Sequence, residues 1–177
     1  MIAMVIVFFM FLILFGFIGA SRGWAREVLV IASVILCLAV IELYEDLLNL
    51  GGYFDKNRSL QFTIRTTLLI VLVYFGYMSP RVQRIAKATE KRGQIAEKIL
   101  GFLVGMASGY FVIGTLWSFA YTAGYPVIVD YIAPAPKDLA ELTNRVIAIL
   151  PPIWLNTPLE TFIALVIIFI FVIIYLI

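Results

Sequence analysis

Histidine is absent from the 177 residues, cysteine occurs once, and charged side chains make up only 14% of the chain. Each shortage removes a class of chemistry. Without histidine the usual ligand for haem, zinc or copper is missing, and so is any Ser-His-Asp or Cys-His nucleophile. Cys37 has no partner for a disulfide and lies in an apolar run, where it reads as a small packed hydrophobe rather than a reactive thiol. A net charge of +2 is too small to imply nucleic acid as a partner. The chain is therefore expected to have no enzymatic activity, no cofactor and no metal site.

What is present in excess is apolar. Hydrophobic residues make up 63% of the chain, against about 45–50% in soluble domains, and the mean hydropathy is +1.06. Lipid is the expected solvent for most of it. Five apolar runs follow one another: Met1 to Ala20, Val28 to about Leu48, Leu60 to Met78, Ile99 to about Tyr125, and Thr161 to Ile177. The first lacks the basic start of a signal peptide and reads as a retained span. The fifth, at 17 residues, reaches about 26 Å as a helix, slightly short of a hydrocarbon core. No charged residue falls at the middle of any run, which argues against proton relays, ion-coupled transport and voltage sensing.

The connecting segments alternate in charge. Arg22 and Arg26 outweigh Glu27 after the first run, and the segment before the fourth run carries Arg81, Arg84, Lys87, Lys91, Arg92 and Lys98 against Glu90 and Glu97. The other two are acid-leaning, with Glu42, Glu45, Asp46 and Asp55 in one and Asp130, Asp138, Glu141 and Glu160 in the other. The positive-inside rule places the basic pair in the cytoplasm, the N-terminus outside and the C-terminus inside. Val82, Ile85, Ala86 and Thr89 recur at helical spacing among the cations. This predicts an amphipathic helix on the inner leaflet, where its basic groups would face anionic lipid at about 1 kcal/mol each. On the outer side, Asp138 with Glu141 predicts a helix start, Leu139, Leu142, Val146 and Leu150 one apolar face, and Pro151-Pro152 its end.

Two further patterns stand out. Gly101, Gly105 and Gly109, joined by Ser108, line one face of the fourth run and permit close approach of another helix, within this chain or in a dimer or partner. In the first turn, Arg22 and Arg26 are four apart and share a face if helical. Glu27 can pair with either arginine or begin the second helix at its positive end, and Trp24 suits the headgroup zone. Glu42 is placed near the outer interface, and Arg65 near the start of its run can snorkel outward.

Gly19-x-x-Arg22-Gly23-x-x-Arg26-Glu27 after a first span, followed by Gly101-x-x-x-Gly105-x-x-x-Gly109 in a fourth, resembles the colicin V production protein family (CvpA family). The resemblance covers roughly residues 1–125 and marks those eight positions. An arginine often precedes the last glycine of the second motif in that family, where this chain has Ser108. It implies a bacterial inner-membrane protein linked to colicin V production or envelope homeostasis, and no catalytic chemistry. The expected fold is an all-α polytopic transmembrane protein with five spans plus short interfacial amphipathic helices. A four-span membrane domain covers 1–125, an extracytoplasmic segment 126–160, and a fifth span 161–177. Two other readings stand beside it: an accessory subunit of a larger respiratory or photosynthetic membrane complex, and a small oligomeric channel. In each, the expected partners are anionic membrane lipids, other membrane-protein subunits or further copies of the chain.

Overall fold

The computed structural model describes residues 2–47, 57–78, 94–125, 132–133 and 139–176. Its elements in chain order are β1 (Ile2–Ala3), α1 (Met4–Arg22), α2 (Trp24–Leu47), α3 (Arg58–Met78), α4 (Gln94–Thr122), β2 (Ile132–Ala133), α5 (Ala140–Ala148), α6 (Pro151–Trp154) and α7 (Pro158–Leu176). The described residues are all-α apart from the two-residue strands, which pair in parallel, Ile2 with Ile132 and Ala3 with Ala133.

Four helices, α1 to α4, are long and apolar enough to cross a membrane, consistent with a multi-pass membrane protein. Their outward surfaces carry the large apolar side chains: Phe9, Ile13 and Phe17 on α1, Ile70 and Phe75 on α3. Water would charge a large penalty for such a surface, and lipid does not. α3 is the extreme case, with only 11% of its span buried inside the protein. The fifth apolar helix, α7, is shorter, with Pro158–Ile174 as its apolar stretch. It runs antiparallel beside α2: Thr161 near its start meets Glu42, and Phe171 near its end packs edge-on against Trp24.

α1 packs most extensively on α4, and α2 packs on α3, α4 and α7. The end of the bundle holding the α1–α2 turn is here called the hairpin end. At the opposite end, Val5 and Phe8 of α1 enclose the fully buried Trp117 of α4 together with Val146, Ile147 and Leu150. A second cluster, reaching from mid-bundle to that same end, joins Val34, Cys37, Leu38 and Ile41 of α2 with Leu69 of α3, Phe119 of α4 and Leu155. Cys37 is fully buried there.

Several boundaries differ from those read from the sequence. α4 begins at Gln94 rather than Ile99, so Lys98 belongs to the span helix and not to a connector. Charged Glu97 and Lys98 are good helix formers and extend the helix beyond its apolar part. In α5 the buried stripe is Thr143, Val146, Ile147 and Leu150, while Leu142 is 43% exposed. Leu139, Val146 and Leu150 of the expected face do pack on the core, Thr143 and Ile147 take the place of Leu142, and the cap residue is Leu139, which makes no side-chain cap bond. Pro151-Pro152 ends α5 and also opens α6, since proline suits the first helical turn. The predicted helix over Arg81 to Glu90 lies outside the described residues, as does Asp138.

A thiol with no exposed surface should be inert while the bundle is intact. A small permeant maleimide is expected to label Cys37 in denaturing SDS but not in mild detergent. Rapid labelling in both would place α2 wrongly.

Candidate functional site

The glycine row of α4 is already occupied within the chain. A Cβ added to Gly101 would lie 2.5 Å from the Gly19 carbonyl oxygen, and one added to Gly19 would lie 2.6 Å from the Gly105 Cα. Real side chains do not tolerate such distances, so the α1 and α4 backbones touch here only because both sides lack side chains. Further along the crossing, a Cβ on Gly109 would meet Phe15 at 2.7 Å, and one on Gly16 would meet Phe102 at 2.8 Å. Of the two uses expected for this row, the internal one is observed.

This crossing fixes what happens at the turn. α1 ends at Arg22 because Gly23 adopts φ +91° and its N–H caps the helix on the Gly19 carbonyl at 2.9 Å. With ψ 145° this is an extended positive-φ conformation open essentially to glycine alone, so the chain leaves α1 here at a sharp angle. The break places Arg22 and Arg26 on different helices, so they do not share one helical face as expected. Arg22 closes α1, while Glu27 sits in the first turn of α2, where the helix end favours negative charge.

Glu27 is not a surface hairpin residue. It is fully buried. One carboxylate oxygen lies 3.4 Å from Nη1 of Arg22, and the other accepts from the Ser108 hydroxyl at 2.6 Å. The same hydroxyl lies 2.9 Å from the Gly105 carbonyl, but its single proton serves the carboxylate at the shorter distance. Arg22 is held from two further directions: Nη2 donates to the Tyr77 carbonyl at 3.2 Å, and its guanidinium lies 4.0 Å from the centre of the Tyr77 ring. One buried carboxylate thus ties together the start of α2, the end of α1, the middle of α4 and, through Arg22, the end of α3.

Of the residues expected to form sites, Gly19, Arg22, Glu27, Gly101, Gly105 and Ser108 come together, Gly23 shapes the turn, and Gly109 packs on Phe15. Arg26 stands apart, half-buried and without an ion-pair partner among the described residues. Lys98 is exposed. Arg81, Arg84, Lys87, Lys91 and Arg92 lie outside the described residues. Sequence reasoning missed the joining of Glu27 to Ser108, because 81 residues separate them and only the glycine crossing brings them together.

The opposite end carries its own polar ties. Arg65 does not snorkel free. It makes two bonds to the Glu45 carboxylate, at 2.8 and 2.6 Å, joining α3 to α2. Glu42 accepts from the Thr161 hydroxyl at 2.9 Å, joining α2 to α7. The Tyr110 hydroxyl donates to the Ile149 carbonyl and accepts from the Trp154 indole at 3.0 Å. Among the described residues no three histidine, cysteine, aspartate or glutamate side chains converge as a metal would need.

No family model, no curated protein and no solved structure matches the chain. Its site has to be read from its own geometry. The Arg22–Glu27–Ser108 cluster holds helices in register, and every charged group in it is met by a neighbour.

Two substitutions test the cluster and a third, away from it, serves as the control. Gly105→Leu should prevent the α1–α4 contact and leave little folded protein in detergent. Glu27→Leu strands Arg22 beside Tyr77 and should cost about 3–5 kcal/mol in unfolding titrations. Arg145→Ala removes the exposed pair to Glu141 and should cost less than about 1 kcal/mol. Equal effects of Glu27→Leu and Arg145→Ala would contradict the assignment.

Proposed function

We propose that this is a CvpA-like, non-enzymatic protein of the bacterial inner membrane, of the colicin V production or envelope-homeostasis type, acting by helix packing and by binding a partner or lipid. The observation that carries the reading is the meeting of its two motifs. The Gly19–Glu27 turn and the Gly101–Gly109 row lie about 80 residues apart in the chain, yet Gly19 packs on Gly101 and Gly105, and Glu27 bonds to Ser108. Gly19, Glu27, Gly101 and Gly105 are among the positions that carry the resemblance, and with Ser108, where this chain departs from that pattern, they form one structural unit. The polar groups of the unit are engaged with one another, Arg22 and Ser108 on the two oxygens of Glu27, which suits a structural role. The unit resembles a lock that sets the angle of the α1–α2 hairpin against α4.

Five spans are part of the proposal. The run of α7 beside α2, from Glu42 to Trp24, supports the fifth. The orientation, N-terminus outside and C-terminus inside, rests on the basic hairpin end and the acid-leaning opposite end. Anionic headgroups on the cytoplasmic side, further copies of the chain or other membrane subunits are its partners.

Mild detergent extraction followed by native sizing tests this reading. A small free oligomer is expected. Constant co-migration with one large respiratory or photosynthetic assembly would overturn it in favour of an accessory subunit. For orientation, Asn144→Cys in a Cys37→Ala background should react with an impermeant reagent added outside, because Asn144 is exposed on α5. Reaction only from inside would reverse the topology.

A further inference from the structure

Helices α3 and α7 both pack on α2 and leave between them a groove of about 300 Å³. That is near the lower end of the roughly 300–1,000 Å³ typical of ligand cavities. Leu29 and Ser33 form its floor on α2, Leu72 and Phe75 its wall on α3, and Phe169 and Val172 its wall on α7. The one hydroxyl in the floor, that of Ser33, is turned back onto the Leu29 carbonyl at 2.8 Å. The surface offered is therefore apolar. A helix, about 10 Å across, is too wide for this volume, whereas a single hydrocarbon chain fits.

The groove lies toward the hairpin end, since Gly76 of its α3 wall immediately precedes Tyr77, on which Arg22 stacks. Arg22 is already held by Glu27 and Tyr77. Arg26 is not held in this way. It stands three residues before Leu29 and seven before Ser33, so it shares the groove face of α2 one to two turns beyond the floor. Side chains on a helix lean toward its N-terminus, which directs Arg26 away from the apolar slot and toward the headgroup level. An apolar slot with a cation beyond one end complements an amphiphile with an anionic head.

We propose that the α2–α3–α7 groove holds one acyl chain of an anionic phospholipid whose phosphate is met by Arg26. The proposal rests on the multi-pass membrane reading above and adds a defined lipid site to it. The full-length protein, reconstituted in phosphatidylcholine vesicles containing a minor share of phosphatidylglycerol, is extracted mildly and weighed by native mass spectrometry. The wild type should retain phosphatidylglycerol in preference to phosphatidylcholine. Arg26→Gln should lower that preference about fivefold while a lipid stays bound. Ala32→Trp, which fills the groove from its floor, should abolish retention, and Val172→Trp should do the same from the wall if Ala32→Trp does not fold. Arg145→Gln, at the opposite end, should retain lipid as the wild type does. Equal retention of both lipids by the wild type, or full retention by a filled groove, overturns the proposal. Flotation with the vesicles separates the two readings. Protein that does not float counts against the membrane assignment, and floating protein that retains no phosphatidylglycerol counts against the groove alone.

Discussion

The contact between the backbones of α1 and α4 at Gly19, Gly101 and Gly105 is the constraint on which the rest depends. In lipid, helices gain nothing from burying apolar side chains against each other rather than against acyl chains. Association has to come from close van der Waals contact and from polar groups that find partners. The glycines supply the first by letting carbonyl and Cα atoms meet across the crossing. They also create the conditions for the second, because only at that separation does Ser108 reach the Glu27 carboxylate.

A buried carboxylate is expensive unless every lone pair has a partner. Here the cost is offset by a guanidinium on one oxygen, a hydroxyl on the other and the positive end of α2. The guanidinium is itself positioned by a carbonyl and an aromatic ring of α3. The opposite end repeats the principle with Glu45–Arg65 and Glu42–Thr161, each joining α2 to a different helix. α2 is thereby tied at both ends to its neighbours, while between the ties Val34, Cys37 and Leu38 pack with Leu69 in apolar surroundings.

Much of this architecture is legible in the sequence. Each apolar run marks a helix to within a few residues, because hydrocarbon thickness dictates length and Gly23 or proline dictates the breaks. The glycine row is visible from its spacing of four. What spacing does not tell is which helix receives that row, since the recipient needs only one or two small residues: Gly19 reads as the start of the turn motif rather than as a packing residue, and Gly16 is unremarkable among the phenylalanines of α1. Glu27 reads as a turn residue because it sits beside two arginines; its burial follows from tertiary contact with α4. In α5 the spacing points Leu142 inward with Val146 and Leu150, but the polar Thr143 takes that place, a choice between adjacent positions that a helix of 9 residues does not decide by pattern alone. The groove beside Arg26 is invisible before α3 and α7 are placed on α2.

The central claim is that the turn motif and the glycine row act as one unit through Glu27 and Ser108. A double-mutant cycle measures it directly, using unfolding titrations of Glu27→Gln, Ser108→Ala and the double variant. The account predicts that the two substitutions are strongly non-additive, with an interaction energy of about 0.5–3 kcal/mol. Additivity to within about 0.3–0.5 kcal/mol would contradict it.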